Sequence, residues 1–173
     1  MKIRTVAIRA FALGAATFAV SSYAASDTAT ATANVIAPIT ITKAVDLVFG
    51  RFAPGAGGSV TVSTSGARTA TGTILSTIGS TPTAARFNIT GDANATYSIA
   101  IAPAATLSDG TNTMALATFS DLTAGNATTG NVASGTLTAG GTQSIYIGGT
   151  LTVGAAQVAG AYTGNIVVTV EYN

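Results

Sequence analysis

The chain has 173 residues, of which 8% are charged and 47% hydrophobic, and it holds no cysteine, histidine or tryptophan. Without histidine or cysteine, the common nucleophile–base pairs and soft-metal sites cannot be built, and disulfides are excluded. A formal charge of +1 is too small for a basic surface directed at nucleic acid or anionic lipid.

Residues 1–24 read as a secretory signal peptide. Lys2, Arg4 and Arg9 precede an apolar run from Ala10 to Val20, and Ser22-Tyr23-Ala24 places small residues at a cleavage site. The run is too short to span a bilayer, so no membrane segment is expected after cleavage. Lys43, Arg51, Arg68 and Arg86 then stand against six acidic residues, a net charge of −2. The expected route is export, with the periplasm as first stop.

Residues 25–36 alternate cleanly. Ala29, Ala31, Ala33 and Val35 share one register with Ala37, Ile39 and Ile41, and threonines occupy much of the other. Proline is tolerated at the first residues of a strand, so Pro38 marks the expected start of the folded domain, residues 37–173. The residues ahead of it form an extended arm of about 35–40 Å at ~3.3 Å per residue.

Beyond the arm, β-branched runs alternate with glycine-rich turns, the pattern of an all-β sandwich. "APGAGG" (53–58) is a turn, and "SVTVST" follows with Val60 and Val62 on one face. "ARFNITG" and "ATYSIAIA" are expected to pair across "DAN", with Phe87, Ile89, Tyr97, Ile99 and Ile101 as core. "DGTN" (109–112) turns the chain into "TMALATFSDL", and residues 124–136 read as a loop or weak edge. "GTQSIYIGGTLTVGA" offers Ile145, Ile147, Leu151 and Val153, with a bulge expected at Gly148-Gly149. Seven to nine short strands at roughly ten-residue spacing imply an immunoglobulin-like β-sandwich.

Catalytic chemistry finds little footing. The six acids are scattered, and those in turns suit bonding to their own backbone. "SDGTN" lacks the acids of a calcium loop, and the glycine-rich turns lack the lysine of a phosphate loop. We therefore expect no enzyme, no metal and no cofactor.

The last strand carries Gly160, Tyr162, Gly164, Ile166, Val168, Val170 and Tyr172 on one register. No later segment is expected to flank it. Exposed edges are normally blunted by lysine, proline or a bulge, and residues 165–173 contain neither lysine nor proline. One chain thus has a strand without a partner (the arm) and an edge without a strand.

Here the sequence resembles the chaperone–usher pilins, whose last strand alternates apolar residues and ends on a penultimate aromatic with a glycine fourteen residues from the end. Tyr172 and Gly160 occupy those places. "GAYTGNIVVTVEY" is similar to the terminal strand of the spore coat protein U-like, archaic pilins, and "DLVFGRF" (46–52) to their L-x-F-G-x-aromatic stretch. The likeness is closest to a secreted proteobacterial domain family of unknown function related to those pilins. Where many archaic pilins place a cysteine, this chain reads Ala37-Pro38-Ile39.

The resemblance implies a sandwich one strand short, completed first by a periplasmic chaperone and then by another subunit delivered at an outer-membrane usher. Strand addition of this kind is a recognised binding mode, for which chaperone–pilin complexes are the handiest illustration. In that scheme Ala29, Ala31, Ala33 and Val35 are the donor side chains. Gly160, Tyr162, Gly164, Ile166, Val168, Val170 and Tyr172 flank the acceptor groove, the two glycines leaving room for a close-lying backbone or a bend. The expected product is a head-to-tail polymer of identical or related subunits at the cell surface. The other expectation is a monomeric secreted or outer-membrane-associated binding domain that completes its own sheet.

Overall fold

A computed structural model describes residues 23–102 and 106–173. Most of the signal-peptide reading lies outside these residues. The chain divides into two units, one ending at Asn34 and one comprising Val35–Asn173. In the first, residues 23–34 have no regular secondary structure. The alternation of Ala29, Ala31 and Ala33 is therefore not expressed as a paired strand.

The second unit is an all-β sandwich without helices among its described residues. Its twelve strands are β1 (Thr40–Val45), β2 (Phe52–Ala53), β3 (Gly58–Val62), β4 (Arg68–Thr71), β5 (Ile74–Leu75), β6 (Ala85–Thr90), β7 (Thr96–Ile101), β8 (Thr106–Ser108), β9 (Thr113–Asp121), β10 (Ser134–Thr136), β11 (Thr142–Val153) and β12 (Val168–Tyr172). All pairings are antiparallel. The first sheet runs β1-β6-β11-β3-β4, with β9 and then β8 attached to the other edge of β11. The second sheet is β10-β7-β12, and β2 and β5 form a small ribbon.

β11 organises the first sheet. On one edge Thr142–Ile147 pair with β6 and Gly149–Val153 with β3; on the other, Tyr146–Leu151 pair with β9. The partner changes at Gly148, where a Cβ would overlap the Phe119 ring and the Val62 carbonyl oxygen. The bulge expected at Gly148-Gly149 is absent. Registers run through it without a slip, and the glycine instead lets neighbouring backbone and ring approach closely.

A second expectation fails. β6 and β7 do not pair across residues 92–94. They lie in different sheets, β6 between β1 and β11 and β7 between β10 and β12. Asn94, with φ of 60°, carries the chain between layers, a conformation that asparagine tolerates better than most residues. The facing assignment nevertheless holds, because Ile89, Tyr97 and Ile99 are buried in one cluster.

Two apolar clusters fill the sandwich. One gathers Ile89, Tyr97, Ile99, Leu137, Ile145, Ile147 and Val170; the other gathers Phe49, Val60, Val62, Met114, Leu116, Leu151 and Val153. Only two side chains, Leu47 and Ile166, are half-buried against both clusters. The Tyr97 hydroxyl is buried without a partner, its ring laid over Gly135 on the neighbouring strand.

Candidate functional site

The two sheets close poorly along one side. β12 is bonded to β7 on one edge, and β1 to β6 on one edge; among the described residues neither has a strand on its other edge. These free edges flank a seam. At one end it widens into a cavity of about 920 Å³ walled by residues 43–54 on one side and 157–166 on the other. Phe87, Leu107, Met114, Leu116 and Leu151 reach its floor. Free strand edges next to an apolar floor are what an added strand satisfies, since such a strand supplies hydrogen bonds and side chains together.

The first wall is held by an arginine. One terminal nitrogen of Arg68 donates to the carbonyls of Phe49 (2.9 Å) and Arg51 (3.2 Å) and to Ser80 Oγ (2.8 Å). The other donates to the Ser76 carbonyl at 2.8 Å. The planar fork suits several acceptors at once. Arg68 reaches the wall across Gly50, whose φ is 73° and whose hypothetical Cβ would overlap Ser80 Oγ. The Phe-Gly pair of "DLVFGRF" therefore sits where the wall bends over the guanidinium. Val48 and Thr83 exchange backbone bonds at 2.9 and 3.1 Å on the side away from the cavity.

The second wall rests on the β8–β9 hairpin. Ser108 and Thr163 exchange backbone bonds at 2.8 and 2.9 Å. In the turn, the Asp109 carboxylate accepts from the Asn112 backbone (2.6 Å), the Asn112 amide (3.0 Å) and the Thr111 backbone (2.9 Å). These donors, the Asn112 backbone first, lower its pKa to about 2. The folded value lies below the ordinary 3.8. Its stabilisation is thus complete above about pH 4 and is lost as the pH falls through about 2. Asp109→Ala is expected to lower the melting temperature at pH 6, and the gap to the wild type should close towards pH 2. A gap that stays constant in melts across this range would contradict the assignment.

The seven residues of the terminal register divide between the cavity wall and the strand beyond it. Gly160, Tyr162, Gly164 and Ile166 line the cavity. Val168, Val170 and Tyr172 lie beyond it and pack on the first cluster, while Val167, on the other register, is 57% exposed. The close-lying backbone at Gly164 belongs to the protein itself. A Cβ at Gly164 would come within 2.5 Å of the Thr106 carbonyl oxygen, and one at Gly160 within 3.2 Å of Asp109 Oδ2. Both glycines accommodate the protein's own hairpin.

Tyr172 closes the other end of the seam. Its hydroxyl donates to the Ala37 carbonyl (2.8 Å) and accepts from the Asp92 N–H (2.6 Å). The chain leaves the body just before this point, at Val35, which is 94% exposed.

Arg68, Ser76, Ser80 and Leu47 carry parts of the site that the sequence reading did not single out. Arg68 is one of only four basic residues after position 24, a signal open to notice. Its acceptors are mostly main-chain carbonyls, which leave no mark in a sequence.

Among the described residues, no group of three or more His, Cys, Asp or Glu side chains is placed to hold a metal. No helix of the described residues is long and apolar enough to cross a membrane. No characterised protein matches the chain closely enough to lend it an activity. A family model described as a domain of unknown function, DUF4402, matches from Ile39 to Tyr172, and the chain belongs to that family.

Proposed function

We propose that this protein is a structural subunit of a surface fibre, its sandwich completed by a strand donated from a neighbouring copy. The observation that carries the reading is the pair of free edges of β1 and β12, with a cavity of apolar floor next to them between residues 43–54 and 157–166. Residues 25–36 are the proposed donor, with Ala29, Ala31, Ala33 and Val35 turned to the floor. Before assembly a periplasmic chaperone fills the same seam, and an outer-membrane usher brings subunits together.

Magnitudes indicate which contacts dominate. Three alanine methyls and a valine supply about 3–5 kcal/mol at ~0.8 kcal/mol per carbon. About eight to ten main-chain hydrogen bonds at ~1 kcal/mol each supply more. An inserted strand would also cover Leu47 and Ile166, the two side chains that join the clusters. Domain stability and subunit association then draw on one free energy, so fibre strength is largely a matter of slow unfolding.

Deleting residues 25–36 is expected to abolish the concentration-dependent ladder of oligomers that resists unheated detergent, leaving monomer or a chaperone complex. Electrophoresis without heating, with sedimentation at several concentrations, checks this. A ladder unchanged by the deletion would exclude the arm as donor, and a sharp wild-type monomer at every concentration would favour a self-completed binding domain.

A further inference from the structure

Apart from Val48 and Val167, the exposed large apolar side chains of the folded unit lie towards the two ends of the seam. Ile36, 47% exposed, adjoins Val35 at the end of the seam closed by Tyr172. Ile74, Ile78 and Val158 are 63%, 78% and 54% exposed, and they gather around the opposite end. Ile74 pairs with Ala53 in the β2–β5 ribbon, and Ala53 and Val158 line opposite walls of the cavity mouth. Ile78 lies in the loop whose Ser76 and Ser80 bond the Arg51 backbone.

Charged groups stand at both ends: Asp109 lies beside Gly160 at the open end, its carboxylate taken up by its own turn. Asp92, whose N–H bonds the Tyr172 hydroxyl, and Glu171 stand at the closed end. Arg51 is exposed at the open end, beside Gly79. Among the described residues the one ion pair is Lys43–Asp46, so Arg51, Asp92 and Glu171 have no charged partner there.

From this distribution we infer that the two ends of the domain form a second contact between copies, in which Ile36, Asp92 and Glu171 of one copy seat on a collar of Arg51, Ile74, Ile78 and Val158 of the next. The inference rests on the fibre reading, because a head-to-tail chain brings the end where the arm departs against the mouth of the next seam. The collar would make the junction stiff as well as tight: strand insertion alone leaves a flexible root, whereas apolar and charged contacts around it fix orientation.

The test uses the full mature chain in four forms: wild type, Arg51→Glu, Asp92→Arg and the double reversal. Each single reversal is expected to shorten the oligomer ladder at low ionic strength, with junctions weakened about 2- to 5-fold, the scale of an exposed ion pair. The double reversal should restore the length, and about 0.5 M salt should erase the differences. An excess of synthetic peptide with the sequence of residues 25–36 serves as the second arm, and should shorten all four ladders alike. Single reversals without effect, or a double reversal that fails to restore length, would overturn the collar while the peptide result leaves strand donation standing. A peptide without effect on any ladder would overturn strand donation, and the collar with it.

Discussion

Exchange of Arg68 for methionine is expected to cost about 2–4 kcal/mol of stability, a loss on the order of 10 °C in melting temperature for a domain of this size. The guanidinium is half-buried and spends its donors on three carbonyls and one hydroxyl, with no carboxylate nearby. Methionine fills similar volume but leaves these acceptors without donors, which costs more than the bonds' net value. The damage should be local first: residues 49–51 lose their tie to β4 and keep only the Arg51 backbone bonds to Ser76 and Ser80, so the cavity wall loosens. Binding of the residue 25–36 peptide is therefore expected to weaken at least about tenfold even where the fold persists, since a wall that must be re-ordered on binding subtracts from affinity. Lysine should recover only part, because an ammonium cannot fork across separate acceptors. Arg51→Ala is the control, with an expected change within about 0.5 kcal/mol because its side chain is exposed. Thermal melts and peptide titrations on the three variants decide the matter; an unaltered Arg68→Met melt would show that water serves those carbonyls as well.

Valine at position 148 should be worse, abolishing the folded state or removing at least about 4 kcal/mol of it. Gly148 is buried at the point where β11 passes from β6 to β3. Any side chain there meets the Phe119 ring, the Val62 carbonyl and the Ser63 backbone at once. The ring alone could turn aside, but the carbonyl belongs to a paired strand. Relief would require separating β3 from β11, and domains with typically 5–15 kcal/mol in hand have little margin for that. Thr150→Val, two residues along on the same strand, removes only the bond between the Thr150 and Thr61 hydroxyls and should cost no more than about 1 kcal/mol. Soluble yield and denaturant titration of the two variants check the contrast. A well-folded Gly148→Val protein would mean that the β3–β11 junction is far more plastic than its contacts imply.

Period-two patterning was legible wherever one strand face meets the core. Val60, Val62, Ile145, Ile147, Leu151 and Val153 are all buried as their alternation implied, because facing is a local property of the chain. Pairing is not local. "ARFNITG" and "ATYSIAIA" look like a hairpin since only residues 92–94 separate the two stretches, yet each finds its partners far away. The β2–β5 ribbon, two residues a side, is too short to announce itself by alternation. The terminal register pointed to one wall of the cavity. The opposite wall was marked only through "DLVFGRF" as a likeness, and its attachment by Arg68 depends on carbonyl positions that exist only after folding. Gly160 and Gly164 were visible as residues with a reason to be small; which neighbour they make room for was not.

The two bonds of the Tyr172 hydroxyl have a mechanical meaning. Tension applied at residue 36 would enter the body just ahead of β1, whose first residue, Thr40, pairs with Thr90 of β6. Part of the same pull passes through the Ala37 carbonyl into β12, a strand anchored in the other layer. A tug on the leading peptide is thereby shared between both halves of the sandwich at its first point of contact.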